Sequence, residues 1–167
     1  MTQEAAFLEY LQQYKKLIVK VARAYCNDPE CRKDLIQDIT VQLWKAFPKY
    51  DRNFALSTRT YRIALNVSIS FLRKATTRKK THSDYQQQID LLQVDDAETQ
   101  DNLAKLYRFI GQLKSIDKAM TILYLEGCTN KEIAEVMGIS ATNVSTKKSR
   151  ILEVLKIYFE NHKTIHI

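Results

Sequence analysis

Residues 129–156 read TNKEIAEVMGISATNVSTKKSRILEVLK, which spells a helix, a tight turn and a second helix. Thr129 followed three residues later by Glu132 is a capping box: the hydroxyl accepts from a backbone N–H of the first turn while the carboxylate reaches back to the cap. The first helix therefore begins at about Asn130. It is expected to stop at Gly138, which takes the left-handed conformation that closes a helix without steric strain. Ile139 and Ser140 fill the turn, and Ser140 is a good N-cap for the helix that follows.

In that second helix Val144, Ile151, Leu152 and Leu155 share one face, while Ser145, Thr146, Lys147, Ser149 and Arg150 point mostly away from it. Small Ala134 lets two helices cross closely, Gly138 turns the corner and Val144 plugs the gap. Those are the steric needs of a DNA-binding helix-turn-helix. Two ordinary core helices joined by a glycine would explain the apolar positions. They would not explain a small, hydrogen-bonding, basic outer face that carries no acid before Glu153. Asn143, Ser145, Thr146, Lys147 and Arg150 are the candidate reading and phosphate-contacting set, with Lys148 acting mainly through phosphate.

Outward from this stretch, the composition is that of a helical protein. Only 3 Gly and 2 Pro in 167 residues leave little material for β-turns. Lys and Arg number 26 against 19 Asp and Glu, a net charge of +7 that suits a polyanionic partner. The N-terminus MTQEAAFLEY lacks the pattern of a signal peptide and no apolar run approaches membrane-spanning length, so a cytoplasmic protein without membrane insertion is expected. Cys26, Cys31 and Cys128 have neither CxxC spacing nor a nearby His. They are expected to be buried reduced thiols, with no metal site, no disulfide framework and no cofactor.

Before the helix-turn-helix, apolar residues recur at helical spacing from Glu4 to Tyr25, and Asp28 with Pro29 caps and opens a second helix from about Glu30 to Phe47. That helix buries Leu35, Ile39, Leu43 and Phe47 and leaves Asp34, Gln37, Asp38 and Gln42 outside. The four form an acidic, amide-rich face in a basic protein, and a partner is the natural occupant. As an acid pair, Asp34 and Asp38 have no third ligand or His beside them.

Pro48 ends the helix and a loop, Lys49–Ser57, carries Tyr50 and Phe54. A third helix, capped by Ser57 or Thr58, runs to about Ala75. Arg59, Arg62, Asn66 and Arg73 lie in one broad band of it, with Tyr61 beside them. Basic side chains interleaved with aromatics and an amide suit stacking on and hydrogen bonding to exposed bases. A basic run then ends at Lys80, and Ser83–Asn102 holds six acids and no Lys or Arg, the composition of a mobile tether with a short helix conceivable at Ile89–Leu92. Two further amphipathic helices, Leu103–Leu113 and Ile116–Glu126, the latter capped by Ser115, complete a four-helix C-terminal unit. The fold expected is all-α: two small helical domains joined by an acidic linker.

In this order, three stretches carry a family resemblance. DLIQDITVQLWKAFPKYDRN (34–53), TYRIALNVSISFLRK (60–74) and LYLEGCTNKEIAEVMGISATNV (123–144) resemble the core-binding helix, the promoter-melting helix and domain 4 of extracytoplasmic-function sigma factors, which keep only sigma domains 2 and 4. The resemblance implies a sigma domain 2 over 1–75, a linker over 76–102, a sigma domain 4 over 103–160 and a tail over 161–167.

It also implies roles. Asp34, Gln37, Asp38 and Gln42 would meet the clamp helices of the largest subunit of core RNA polymerase. Tyr50 and Asn66 would hold a flipped base of the minus-10 element, with Arg59, Tyr61, Arg62 and Arg73 beside them, and the helix from Ala141 would enter the major groove at minus-35. Promoter DNA and an anti-sigma factor are further implied partners, and no catalytic residue is implied. The chain departs from the family pattern at Arg59, where a Trp is common, and at Lys114, where Pro often follows Leu113. From the residues alone, the alternative is a helix-turn-helix repressor or activator, which needs a dimer interface and a palindromic site. A small nuclease or recombinase lacks the acids, His or nucleophile it would need.

Overall fold

The structure, a computed structural model, describes residues 1–49, 55–79 and 98–163. Seven α-helices account for nearly all of these, and no strand occurs among them: α1 Gln3–Tyr25, α2 Pro29–Ala46, α3 Leu56–Lys79, α4 Glu98–Gln112, α5 Ser115–Leu125, α6 Asn130–Met137 and α7 Ala141–Lys163. A single 3-10 turn, Phe47–Lys49, follows α2. The expected all-α architecture is what the chain adopts.

Helices α1, α2 and α3 pack on one another as an N-terminal unit. Its core holds Ile18, Val21, Leu35, Ile39, Leu43, Ala64 and Leu65. Two hydroxyls sit in that core at 0 % exposure, Thr60 and Ser68, and both are satisfied within the helix: Thr60 donates to the Leu56 carbonyl and Ser68 to the Ala64 carbonyl, each at 2.7 Å. Thr60 also shares a hydrogen bond with the Tyr10 hydroxyl, which ties α1 to α3. Phe7, Tyr10, Trp44 and Phe47 form an aromatic nest with ring centroids 5.0–5.4 Å apart across the α1–α2 contact.

Local chemistry sets the helix ends. The Asp28 carboxylate accepts from the Cys31 N–H, and Pro29 opens α2 where its missing N–H has no partner to lose. Arg32 folds back onto the end of α1, donating to the Cys26 and Asn27 carbonyls. Cys26 and Cys31 are joined by a disulfide, their Cα atoms 5.8 Å apart, and only Cys128 is a free thiol. This corrects the expectation of three reduced thiols: the Asn27–Pro29 turn folds the start of α2 against the end of α1, a proximity that spacing across a helix break does not reveal.

Four boundaries also move, the first being the end of α3, which runs to Lys79 and not to about Ala75. Helix α3 starts at Leu56, so Ser57 and Thr58 lie within its first turn and Thr58 is buried. Helix α4 starts at Glu98, inside the stretch expected to be tether. Lys114, not Ser115, occupies the N-cap of α5, and no side-chain bond caps that helix. The Tyr50 and Phe54 loop residues, the end of the basic run at Lys80 and the Ile89–Leu92 segment lie outside the described residues.

Helices α4–α7 form the C-terminal unit around Phe109, Ile110, Met120, Leu123, Ile133 and Val144. The two units touch: α1 lies against α4 and α5, and α3 against α5 and α6. Among the described residues no helix is long and apolar enough to cross a membrane.

Candidate nucleic-acid interface

The helix-turn-helix is built as its sequence requires. Thr129 Oγ1 accepts from the Glu132 N–H at 3.2 Å and the Glu132 carboxylate accepts from the Thr129 N–H at 2.7 Å, so both halves of the capping box are made. Gly138 adopts φ +70°, where a Cβ would be strained, and its N–H closes α6 on the Ala134 carbonyl. Ser140 Oγ accepts from the Asn143 N–H at 3.1 Å and starts α7. Val144, at 0 % exposure, fills the angle between the helices beside Ile133 and Val136.

With Val144 fixed inward, the register of α7 is set. Asn143, Thr146, Lys147 and Arg150 follow an i, i+3, i+4, i+7 course and so form one ridge on the outer side. Asn143, Thr146 and Arg150 are exposed and Lys147 is half-exposed. Ser145 is also exposed but projects roughly 200° round the helix from Asn143 at ~100° per residue. Lys148 lies elsewhere again. Its ammonium stands 4.5 Å over the Tyr124 ring and 3.4 Å from Asn130 Oδ1, braced against α5 and α6. The spacing held that signal, since Lys148 is four residues from Val144 and seven from Leu155.

The band on α3 is more divided. Asn66 and Arg73 are exposed. Arg59 is half-buried and its guanidinium donates to the Ala46 carbonyl at 2.7 Å and the Lys49 carbonyl at 2.8 Å, closing the C-terminal end of α2. Arg62 donates to the Glu135 carbonyl of α6. Tyr61 is buried, with the Cys128 thiol near its hydroxyl. Burial is the main cause that raises the pKa of both groups, and nearby Glu126 and Glu132 add to it. Tyr61 thus packs on the inner side of α3, not beside the exposed basic band; on a 3.6-residue turn it lies on the side of Ala64, Leu65 and Ser68. Tyr50 lies outside the described residues.

On α2, Asp34, Gln37, Asp38 and Gln42 are all exposed, as expected. The same face carries two residues that the sequence reading missed, Val41 at 42 % and Trp44 at 37 % exposure. Their i+7 and i+10 spacing from Asp34 was the available signal. Among the described residues no group of three His, Cys, Asp or Glu is placed to hold a metal ion.

Two family models match the chain, sigma-70 region 2 over residues 10–78 and sigma-70 region 4 over residues 103–155. The chain is a sigma factor of the sigma-70 family. The region 2 match takes in all of α2 and nearly all of α3, and the region 4 match takes in the helix-turn-helix and its ridge. No curated protein matches the chain.

Solved structures match its fold. The sigma factor RpoE of Bartonella quintana, solved with the anti-sigma factor NepR, is similar with a TM-score of 0.76 and 16 % identity over 93 % of this chain and 97 % of that one. CnrH, solved with the cytosolic domain of CnrY, is similar with a TM-score of 0.69 and 18 % identity over 95 % of this chain and 90 % of that one. Each match runs through both helical units. Region 2 followed by region 4 is the layout of the extracytoplasmic-function group, and the sigma factor directs promoter-specific transcription initiation. Its family acts in initiation without being enzymes.

Proposed function

We propose that residues 1–75 serve as sigma domain 2, residues 76–102 as the linker and residues 103–160 as sigma domain 4, with 161–167 a tail. The outer face of α2 docks on the clamp helices of the largest polymerase subunit through Asp34, Gln37, Asp38 and Gln42. Val41 and Trp44 supply apolar contact inside that polar rim, the usual anatomy of a protein interface. Helix α7 reads the minus-35 element through Asn143, Thr146, Lys147 and Arg150. Ser145 and Lys148, which face other directions, act at its margin.

Helix α3 engages the minus-10 element through Arg62, Asn66 and Arg73, with Tyr50 supplying the wall of a flipped-base pocket. Arg59 and Tyr61 act there through placement: Arg59 holds the end of α2 from which the Tyr50 loop departs, and Tyr61 anchors α3 from within. An anti-sigma factor is a partner of the same class as those bound by the two similar structures. The protein works in the cytoplasm, where polymerase and promoter are.

The observation that carries this reading is the α7 ridge: four small, amide or basic side chains in groove-facing register on a helix locked by Val144. The test is to mix the purified chain with core RNA polymerase and ask for promoter-dependent transcript. A specific start site is expected. A repressor or activator without sigma function yields none.

A further inference from the structure

The corner between α1 and α2 brings two sulfurs together in a protein that works beside polymerase in the cytoplasm. Cys26 is the C-cap of α1 and Cys31 the third residue of α2, and their disulfide spans Cα atoms 5.8 Å apart. Cys26 is 3 % exposed whereas Cys31 is partly exposed, so one residue is enclosed and the other is reachable from solvent. The corner does not depend on the bond between them. The Asp28 carboxylate caps the Cys31 N–H, Pro29 opens α2, and Arg32 donates to the Cys26 and Asn27 carbonyls at 2.8 and 2.6 Å. These contacts keep the two thiols side by side when they are reduced.

In small secreted domains a disulfide supplies stability that the core cannot. Here the three-helix core is packed without it, with Val21, Leu35, Ile39 and Ala64 at 0 % exposure. In a reducing compartment a disulfide is ordinarily transient and redox-sensing. Cys31 also has surroundings that suit an attacking thiol. It sits in the first turn of an 18-residue helix, whose positive end favours a thiolate, and the carboxylates of Asp28 and Glu30 offset part of that field. Cys128 is the contrast: burial and the carboxylates of Glu132 and Glu126 push its thiol up, and it has no sulfur partner.

We propose that Cys26–Cys31 is a reversible thiol–disulfide site, oxidised by peroxides and reduced by a thioredoxin-type dithiol, and that its oxidation strengthens docking of α2 on core RNA polymerase. The Cys31 thiolate attacks one oxygen of hydrogen peroxide. The O–O bond breaks, the departing hydroxide takes up the proton that Cys31 had shed and leaves as water, and Cys31 becomes a sulfenic acid. The Cys26 sulfur then attacks the Cys31 sulfur. An S–S bond forms, the S–O bond breaks, and hydroxide leaves with the Cys26 proton as a second water. Two thiols and one peroxide thus give a disulfide and two waters, the sulfurs losing the two electrons that the oxygens gain. Reduction runs by exchange at the reachable Cys31 sulfur: the reductant's thiolate bonds to it, Cys26 leaves and takes up a proton, and the reductant's second thiol displaces Cys31 and closes its own disulfide. The consequence for docking rests on the assignment of α2 to the polymerase. Asp34 stands one helical turn beyond Cys31, and the bond fastens to α1 the end of the helix that carries it. With both thiols reduced, hydrogen bonds alone hold that first turn and it opens more often.

The test uses the full chain. Hydrogen peroxide, removed before any assay, should convert two of the three thiols to a disulfide, read by maleimide mass tagging and peptide mass spectrometry. Thioredoxin with its reductase and NADPH should return both thiols within minutes. In Cys26→Ser, peroxide should leave a sulfenic acid at Cys31 that dimedone traps, and in Cys31→Ser the buried Cys26 should react many-fold more slowly. Circular dichroism should be the same in both forms, while the oxidised chain should melt several degrees higher and bind core polymerase several-fold tighter. The double variant Cys26→Ser, Cys31→Ser should be indifferent to either treatment. Thiols that persist through peroxide, or a disulfide that withstands thioredoxin, would overturn the redox site. Reversible chemistry with equal affinity of the two forms would overturn its effect on docking, given that Asp34→Lys with Asp38→Lys still weakens binding. If that charge reversal is silent as well, the failure lies in the assignment of α2 to the polymerase, and the thiol chemistry still decides the site.

Discussion

On α7 the side chains of the reading ridge stand clear of the protein, whereas on α3 the band meant for the same kind of partner is already engaged by the protein itself. Thr146 bonds only within its own helix, to the Thr142 carbonyl, and Asn143, Lys147 and Arg150 make no side-chain bond to another described residue. On α3, Arg59 closes the end of α2 and Arg62 holds α6. A duplex reader meets a rigid groove and can present an uncommitted ridge on one locked helix. A strand opener must also place a loop, and part of its polar surface is structural. Substitutions on the α7 ridge should therefore alter recognition while leaving stability unchanged, and substitutions at Arg59 and Arg62 of α3 should alter both.

Arg59→Ala should break this contrast most visibly. Two hydrogen bonds from a charged donor to helix-end carbonyls are lost, which costs about 2 kcal/mol for a half-buried pair. For a chain of this size the melting temperature should fall by roughly 4–8 °C, with transcription falling in parallel. Arg59→Trp, although it restores the residue common in the family, should destabilise too, because an indole has one donor and cannot reach both Ala46 and Lys49. A calorimetric scan of Arg59→Ala unchanged from wild type would show that Arg59 belongs to the DNA surface after all.

Lys147→Ala is the opposite case. Its side chain supports no described neighbour, so melting should not shift, while discrimination among minus-35 variants should change by about 1–3 kcal/mol if Lys147 touches a base edge. A phosphate contact would instead weaken all sequences alike and flatten the salt dependence. Competition binding with minus-35 variants at two salt concentrations separates the two. Lys148→Ala is expected to behave more like an α3 substitution, because its ammonium is braced on Tyr124 and Asn130.

These differences track what was legible from residues alone. The capping box at Thr129, the turn at Gly138, the Asp28–Pro29 start of α2 and the inward Val144 are all local in sequence, and each stands where local chemistry puts it. The exposed α2 face was legible by periodicity, although Val41 and Trp44 were passed over because apolar residues are ordinarily assigned inward. What escaped depends on distant partners. Nothing near Arg59 announces the Ala46 and Lys49 carbonyls, and nothing near Tyr61 announces Cys128. The Cys26–Cys31 pairing required knowing how sharply α2 folds back.

Reversing Asp34 and Asp38 to Lys sharpens the comparison on the polymerase side. Both are exposed and off the apolar stripe, so circular dichroism should be unaltered while affinity for core polymerase falls about tenfold, the order of 1.4 kcal/mol expected for rim charges facing a complementary surface. Equal affinity in the double variant would remove α2 from the docking surface.

The smallest effect expected is at Lys118, where the two units share a buried charge. Its side chain is 5 % exposed and its pKa is lowered by loss of hydration, with the Tyr25 ring face its neighbour from α1. A cation–π contact offsets only part of that loss. Loss of hydration penalises the charged form, so the ammonium works against the packed form. Lys118→Met keeps the length of the side chain and removes the charge, and it should stabilise the closed protein by roughly 1 kcal/mol, raising the melting temperature by a few degrees. The pH dependence follows in sign. A lysine whose pKa is lower in the packed form than its ordinary 10.5 binds fewer protons there than when exposed, so stability rises with pH from the lowered value up to 10.5. Wild type should show that rise and Lys118→Met should lose it, so the two curves converge as pH approaches 10.5. If the Met variant instead melts lower at every pH, the ammonium contributes more through Tyr25 than it forfeits in hydration, and the seam gains from its buried charge.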